Sequence, residues 1–324
     1  MTHRSGGLRV AFGVIAMCVA LFGVSAGVSS AAPPAQSIPP SPAAAPRVLP
    51  TDDPFYTPRV PIGGLAPGAV IGSRVVTLGT NGTSLPATGT QLLYRTTDAF
   101  GAPSSTVTTI ISPPGAKRGT PRRMISYHEF YDALGSQCDP SYTLRGGRSS
   151  AGAVDTTMIA TMVAAGYTVV VPDYEGPDLR WTIGKESAHA ALDGIRAAQR
   201  FLRISASTPV GLYGYSGGSI PTGFGAELAP TYAPELNLIG ATAGGVLVNP
   251  RNNLAYVNGA PRWSAVIPAL MSVYDETYDL GIEKFLSPKG TQVLSDIRGE
   301  CINNFLGKYP NLTDSSLLLP RYPS

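Results

Sequence analysis

Between Met124 and Ala243 short apolar runs alternate with segments of helical period, and this rhythm leaves few folds open to the chain. Met124 to His128, Tyr167 to Val171, Val210 to Tyr215 and Leu238 to Ala243 have the length and apolarity of buried strands. Between the first two, Val154, Met158, Met162 and Ala165 recur at helical spacing and stop at Gly166. Ala188, Leu192, Ile195, Ala198 and Leu202 share one face of a second helix, expected from Glu186 to Leu202. A third is expected over Gly217 to Leu228. Such a series predicts an α/β fold with a parallel sheet wound by helices. Ahead of it, Val75 to Leu78, Gln91 to Thr96 and Thr106 to Ile111 read as further strands, and Asn81 to Gly89 as a loop. Beyond about Pro250 the strand rhythm stops. Pro261 to Phe305 reads as several short helices able to cap the carboxyl edge of the sheet.

These patterns divide the chain into a core over 51–249, a helical cap or lid over 250–310 and a tail over 311–324. Residues 32–50 are an Ala/Pro-rich lead-in. Residues 1–31 have the make-up of a signal peptide: Arg4 and Arg9 precede an apolar run from Val10 to Val24, and small residues follow up to Ala31. A membrane anchor is the alternative, but the run is shorter than the roughly 20 residues a span requires. The expected location is therefore extracellular. The mature chain would keep Cys138 and Cys301, most simply as one disulfide in an oxidising compartment, with two separate buried thiols as the alternative.

Charge narrows the partners. The formal net charge is +3 and falls to about +1 without Arg4 and Arg9, and no basic stretch interleaves with aromatics as nucleic-acid binding would require. With 43% hydrophobic and only 14% charged residues, the chain is globular.

Gly214-Tyr215-Ser216-Gly217-Gly218 fits G-x-S-x-G, a weak signal by itself in a chain with 37 glycines. Context strengthens it. The strand from Val210 runs directly into Ser216, small residues follow, and the next helix tolerates Pro221 in its first turn. A strand, a tight turn and a helix in that order hold a serine exposed and strained, with helix N-terminal N–H groups beside it. An ordinary glycine-rich turn is the bland alternative.

Six motifs then occur in order: Asp53-Pro54-Phe55-Tyr56; Leu92-Leu93-Tyr94-Arg95-Thr96-Thr97-Asp98; Cys138 with Pro140-Ser141-Tyr142; Asp173-Tyr174-Glu175-Gly176; Leu192-Asp193-Gly194-Ile195-Arg196-Ala197-Ala198; and Gly214 to Gly218. Together they resemble the secretory lipases of actinobacteria and yeasts over about residues 50–310. The resemblance implies an α/β-hydrolase fold with an inserted helical cap, acting on triacylglycerols or simpler carboxylic esters without metal or organic cofactor. It implies Ser216 as nucleophile, Gly217 and Asp132 as the oxyanion hole, and a Cys138–Cys301 disulfide. It places Asp173 to Pro177 along the site. Transient contact with a lipid interface is compatible with it, and no protein partner is implied.

One departure qualifies that expectation. In this fold the triad follows the order serine, acid, histidine, whereas His3, His128 and His189 all precede Ser216. The final sheet strands of the resembled family, with their acid and histidine, are therefore expected to be missing from the chain as given, which would leave it inactive or nearly so. Asp275, Asp279, Asp296 and Asp314 follow Ser216 but have no histidine to orient. His128 fits an orienting or substrate-facing role, and His189 a partly exposed helix position. Alternatives are a non-catalytic secreted lipid-binding protein on the same scaffold, or another serine hydrolase such as a peptidase.

Overall fold

The computed structural model describes residues 47–120, 122–148 and 153–322; the segment expected to be a signal peptide, Cys18 and most of the expected lead-in lie outside the described residues. Seven strands form one mixed sheet: β1 (Val70–Thr80), β2 (Thr83–Thr97), β3 (Pro103–Ile111), β4 (Met124–His128), β5 (Thr168–Pro172), β6 (Val210–Tyr215) and β7 (Leu238–Gly244). Their order is β1-β2-β3-β5-β4-β6-β7. The first three pair antiparallel, β3 meets β5 antiparallel, and β5, β4, β6 and β7 run parallel. β7 ends the sheet among the described residues and is exposed along most of its length.

The helices, in chain order, are α1 (Pro140–Thr143), α2 (Ala153–Ala164), α3 (Gly184–Leu202), α4 (Ser219–Tyr232), α5 (Pro250–Val257), α6 (Val266–Tyr278), α7 (Pro288–Ile297), α8 (Ile302–Phe305) and α9 (Asp314–Leu317). β5 is buried at every position, as a parallel strand covered on both faces must be. Val170 joins Leu192, Ile195, Leu202 and Leu212 on the α3 face, while Val169 and Val171 join Tyr127, Leu144 and Ile159 on the other. The period-two alternation of a strand thus divides one apolar run between two cores.

Two expectations are corrected here. Asn81 to Gly89 is not a loop: only Asn81 and Gly82 turn, and Thr83–Gly89 is strand paired back onto β1. Both turn residues are left-handed, with φ of 43° and 85°, which is the conformation a two-residue hairpin demands and Asn-Gly supplies. The Gly/Thr/Asn composition disguised the strand. His189 is only 4% exposed, because α3 is enclosed by the sheet on one side and α4 on the other. Its ring stacks on Tyr232 at 4.0 Å, and Nδ1 lies 3.1 Å from the Thr97 carbonyl oxygen.

From Pro250 onward the described structure is helical. Trp181 and Ile183 pack with Ala265, Ala269, Val273, Ile297 and Phe305, and Leu312 and Leu317 pack with Ile267 and Val293. Residues 311–318, read from sequence as a tail, are therefore part of this packing; Ser287 N donates to Leu317 O at 2.8 Å. Cys138 and Cys301 form a disulfide that ties the helical segment to the loop after β4, and Leu134 N donates to Glu300 O beside it. Closing a loop across 163 positions of sequence is worth roughly 4 to 5 kcal/mol on the chain-entropy model. Replacing both cysteines by alanine is expected to lower the unfolding free energy by an amount of that order, read from urea unfolding followed by far-ultraviolet circular dichroism.

Candidate active site

β6 ends at Tyr215, and the next residue turns the chain sharply. Ser216 has φ of +52°, a left-handed conformation that a side chain other than glycine rarely takes, and one 3-10 turn over Ser216–Gly218 leads into α4. The surrounding glycines are required by space. A Cβ at Gly214 would stand 2.0 Å from Gly218 O, one at Gly217 would stand 1.7 Å from Asp132 Oδ1, and one at Gly218 would stand 2.0 Å from His128 O. The pattern is thus a packing solution that presents a half-buried Ser216 at the carboxyl end of the strand.

Asp132 closes the site from the loop after β4. It too is left-handed, at φ +40°, and only 2% exposed. Burial raises its carboxyl to about 7, against a smaller pull downward from the Trp181 indole and a further push from Asp155. Oδ1 has no hydrogen-bond partner. Ser216, Gly217 and Asp132 meet at a cavity of about 240 Å³ whose other walls are mainly apolar, among them Trp181, Ile220, Leu254, Trp263 and Leu270. The helical segment contributes through α5, α6 and α8, which sequence could not assign side chain by side chain.

Asp173 to Pro177 do not line this cavity. Asp173 and Glu175 turn inward and brace it from behind: Ser141 N donates to Asp173 Oδ1 at 2.8 Å, and Ala133 N to Glu175 Oε2 at 3.0 Å. Tyr131 OH accepts from Glu175 N, and Tyr174 OH donates to Glu129 O at 2.6 Å. The two segments are strapped together, so the loop holding Asp132 cannot relax its strained backbone. Trp181, a few residues further on, occupies the wall instead. Nothing in its local sequence marks it, because the contact is set by tertiary packing against Phe305.

Neither described histidine lines the cavity. His128 is buried beneath the elbow with both ring nitrogens engaged, Nδ1 at 2.7 Å from Thr222 Oγ1 and Nε2 at 3.0 Å from Ser126 Oγ. A substrate-facing role is thereby excluded for its side chain. Burial holds the ring far below the usual histidine range, at about 3, so it is neutral. Of the acids after Ser216, Asp275 accepts from Ile282 N, Asp296 from Gln292 and Tyr309, and Asp279 is a helix end; none of these or Asp314 borders the cavity. Among the described residues no cluster of three or more His, Cys, Asp or Glu is placed to hold a metal ion, and no helix is long and apolar enough to cross a membrane.

A serine at a left-handed strand-to-helix turn, on a mixed sheet of this order, defines the α/β-hydrolase class. The chain is 35% identical to Candida antarctica lipase A in its closed state, with a TM-score of 0.76 over 85% of this chain and 65% of that one. A cell-wall-degrading esterase of Xanthomonas oryzae, at 18% identity and a TM-score of 0.58, shares the fold. The family model described as Secretory lipase matches residues 148–316, and the chain belongs to that family. A protein of Mycobacterium tuberculosis named as a probable inactive lipase is 38% identical over 259 residues, covering 77% of this chain and 58% of that one. A secreted triacylglycerol lipase of Malassezia furfur is 35% identical over 285 residues, or 83% and 60% of the two chains. The chain thus spans about three fifths of the length of these relatives.

Proposed function

We propose that this is an exported carboxylic-ester hydrolase scaffold in which Ser216 is the nucleophile. The observation that carries the reading is the strained Ser216 opening onto an apolar cavity beside Gly217 and Asp132. Ser216 Oγ attacks the ester carbonyl as its proton passes to solvent, the leaving alkoxide takes a proton from solvent and departs as the alcohol, and water later releases the acid from the acyl-enzyme. The carbonyl oxygen gains negative charge at the helix start, where Gly217 N–H donates to it. Asp132 donates the second hydrogen bond from its carboxyl group, which can donate only as the neutral acid. Deprotonation near pH 7 removes that donor and places a negative charge beside the oxyanion. Hydrolysis is therefore expected to fall as pH rises through about 7, and Asp132→Asn, which keeps a donor and does not titrate, to lose this limb.

Neither described histidine borders the cavity, so what the described residues offer the reaction is binding and oxyanion stabilisation, worth roughly 10³- to 10⁴-fold over water. The relative named as a probable inactive lipase is in keeping with so low a rate. The substrate class is a lipid or small carboxylic ester, after the relatives named as lipases. Val248 and Tyr256, 87% and 79% exposed, stand with Leu247, Leu254 and Trp263 in the segment that forms the cavity's outer wall, which suits transient contact with a lipid interface. Export accords with the disulfide.

The same apolar cavity, with neither described histidine beside it, also suits retention of a lipid with no turnover. Hydrolysis of p-nitrophenyl butyrate separates the two. A slow release of nitrophenol that Ser216→Ala abolishes supports the hydrolase. Release that Ser216→Ala leaves unchanged refutes it, and tight ester binding without release favours the carrier.

A further inference from the structure

His128 is used by none of these steps, yet it touches the elbow twice. Its main-chain oxygen occupies the space a Gly218 side chain would need, and its ring meets Thr222 one helical turn further on. Gly214, its partner in the β4–β6 register, also abuts Thr222: a Cβ there would stand 2.5 Å from Thr222 Oγ1. Thr222 is fully buried, and its hydroxyl contacts Gly218 O at 2.8 Å.

One arrangement of protons satisfies all of these contacts at once. A carbonyl oxygen only accepts, so in that arrangement the single Thr222 hydroxyl proton points at Gly218 O. Thr222 Oγ1 must then accept from His128 Nδ1, which carries the ring proton. A neutral imidazole has only one, so Nε2 accepts, and Ser126 O–H donates to it. Resting on the reading of Ser216 as nucleophile, we propose that His128 is a positioning residue. Held as the neutral Nδ1–H tautomer in the one-way chain Ser126, His128, Thr222, Gly218, it clamps the first turn of α4 against β4 and so fixes where Ser216 and the Gly217 N–H point.

The clamp has a physical rationale. Ser216 occupies an unfavourable backbone region, and a strained turn persists only where its surroundings over-determine it. The Gly218 carbonyl is the first rigid group after the turn. As the N-cap carbonyl of α4 it already accepts the first backbone bond of the helix, and the Thr222 hydroxyl, itself held by the His128 ring, adds a second contact that fixes its direction.

Two measurements test this. Ring nitrogen shifts of the ¹⁵N-labelled chain, with the His128 signals assigned by their loss in His128→Asn, should show Nδ1 protonated and Nε2 bare from pH 5 to 8. A protonated Nε2, or an imidazolium titrating in that range, overturns the clamp. Second, His128→Leu should slow acylation of Ser216 by roughly tenfold or more with ester affinity unchanged, since small displacements of a reacting group carry penalties of this size. His128→Asn, which returns a donor at the Nδ1 position, should restore most of that rate. Equal slowing in both variants, or a loss confined to affinity, contradicts a positioning role. If the unmutated chain acylates no serine, the nucleophile reading fails, while the nitrogen shifts still decide the clamp.

Discussion

Alanine at Gly218 is expected to destabilise the protein by about 3 kcal/mol or more, whereas alanine at Gly223, on the same segment, is expected to stabilise it by about 0.5 to 1 kcal/mol. At Gly218 the added methyl would sit 2.0 Å from His128 O and 2.9 Å from His128 C. Both are main-chain atoms of a central strand and cannot swing aside, so β4 and α4 would have to part. At Gly223 nothing lies within 4 Å, the position is exposed, and the residue is inside α4. There alanine removes only the backbone freedom that glycine retains in the unfolded chain. Urea midpoints of the two variants against the unmutated chain give the comparison. Similar midpoints would mean that the elbow is not packed as described.

The second large effect is electrostatic. Between pH 5 and 8 the fold is expected to lose stability, by several kcal/mol, because the core beneath the site holds carboxyls that prefer to be neutral. Burial raises Asp132 and Asp173 to about 7 and Asp155 to about 6. It also moves Glu129, Asp139 and Glu175 well upward, with neighbouring carboxylates adding to the push. A carboxyl raised on folding binds its proton more tightly in the folded state. Its stabilisation is complete below the unfolded value near 4 and disappears as pH climbs through the folded value near 6 to 7. Asp53 works in the opposite sense. Its burial is outweighed by Arg74 and the Phe55 amide, which hold its carboxyl low, and that contribution is lost only as pH falls below about 4. Thermal midpoints should therefore be higher at pH 5 than at pH 8. Asp132→Asn should flatten the difference by removing one titrating group, with its gain confined to the alkaline side.

What was legible in the sequence was local. β4 and β6 stand where the apolar runs placed them: β4 is buried at nearly every position, and β6 buries every second one. The turn at Ser216 was readable because the chemistry that demands glycine at Gly214, Gly217 and Gly218 acts over five consecutive residues. Where distant segments meet, the signal faded. His189 looked partly exposed because a single-helix pattern cannot reveal that α4 covers its other side. Asp173 to Pro177 were expected along the site, yet two carboxylates there find amide donors at Ser141 and Ala133 and turn away from it. Trp181 and Thr222 carried no pattern at all. The first is placed by packing against Phe305, and the second meets a ring on strand β4 that is distant in sequence. The strand over Thr83–Gly89 was hidden by composition, and only the Asn81-Gly82 pair, taken as a hairpin turn, could have exposed it.

The central claim is that Ser216 is the nucleophile of an ester-cleaving site. The most direct measurement is mass spectrometry of the chain after prolonged incubation with a p-nitrophenyl alkylphosphonate, followed by peptide mapping. A single phosphonyl adduct on the peptide containing Ser216, absent from Ser216→Ala, is the predicted result. An unmodified chain, or an adduct that persists in Ser216→Ala, would contradict the account.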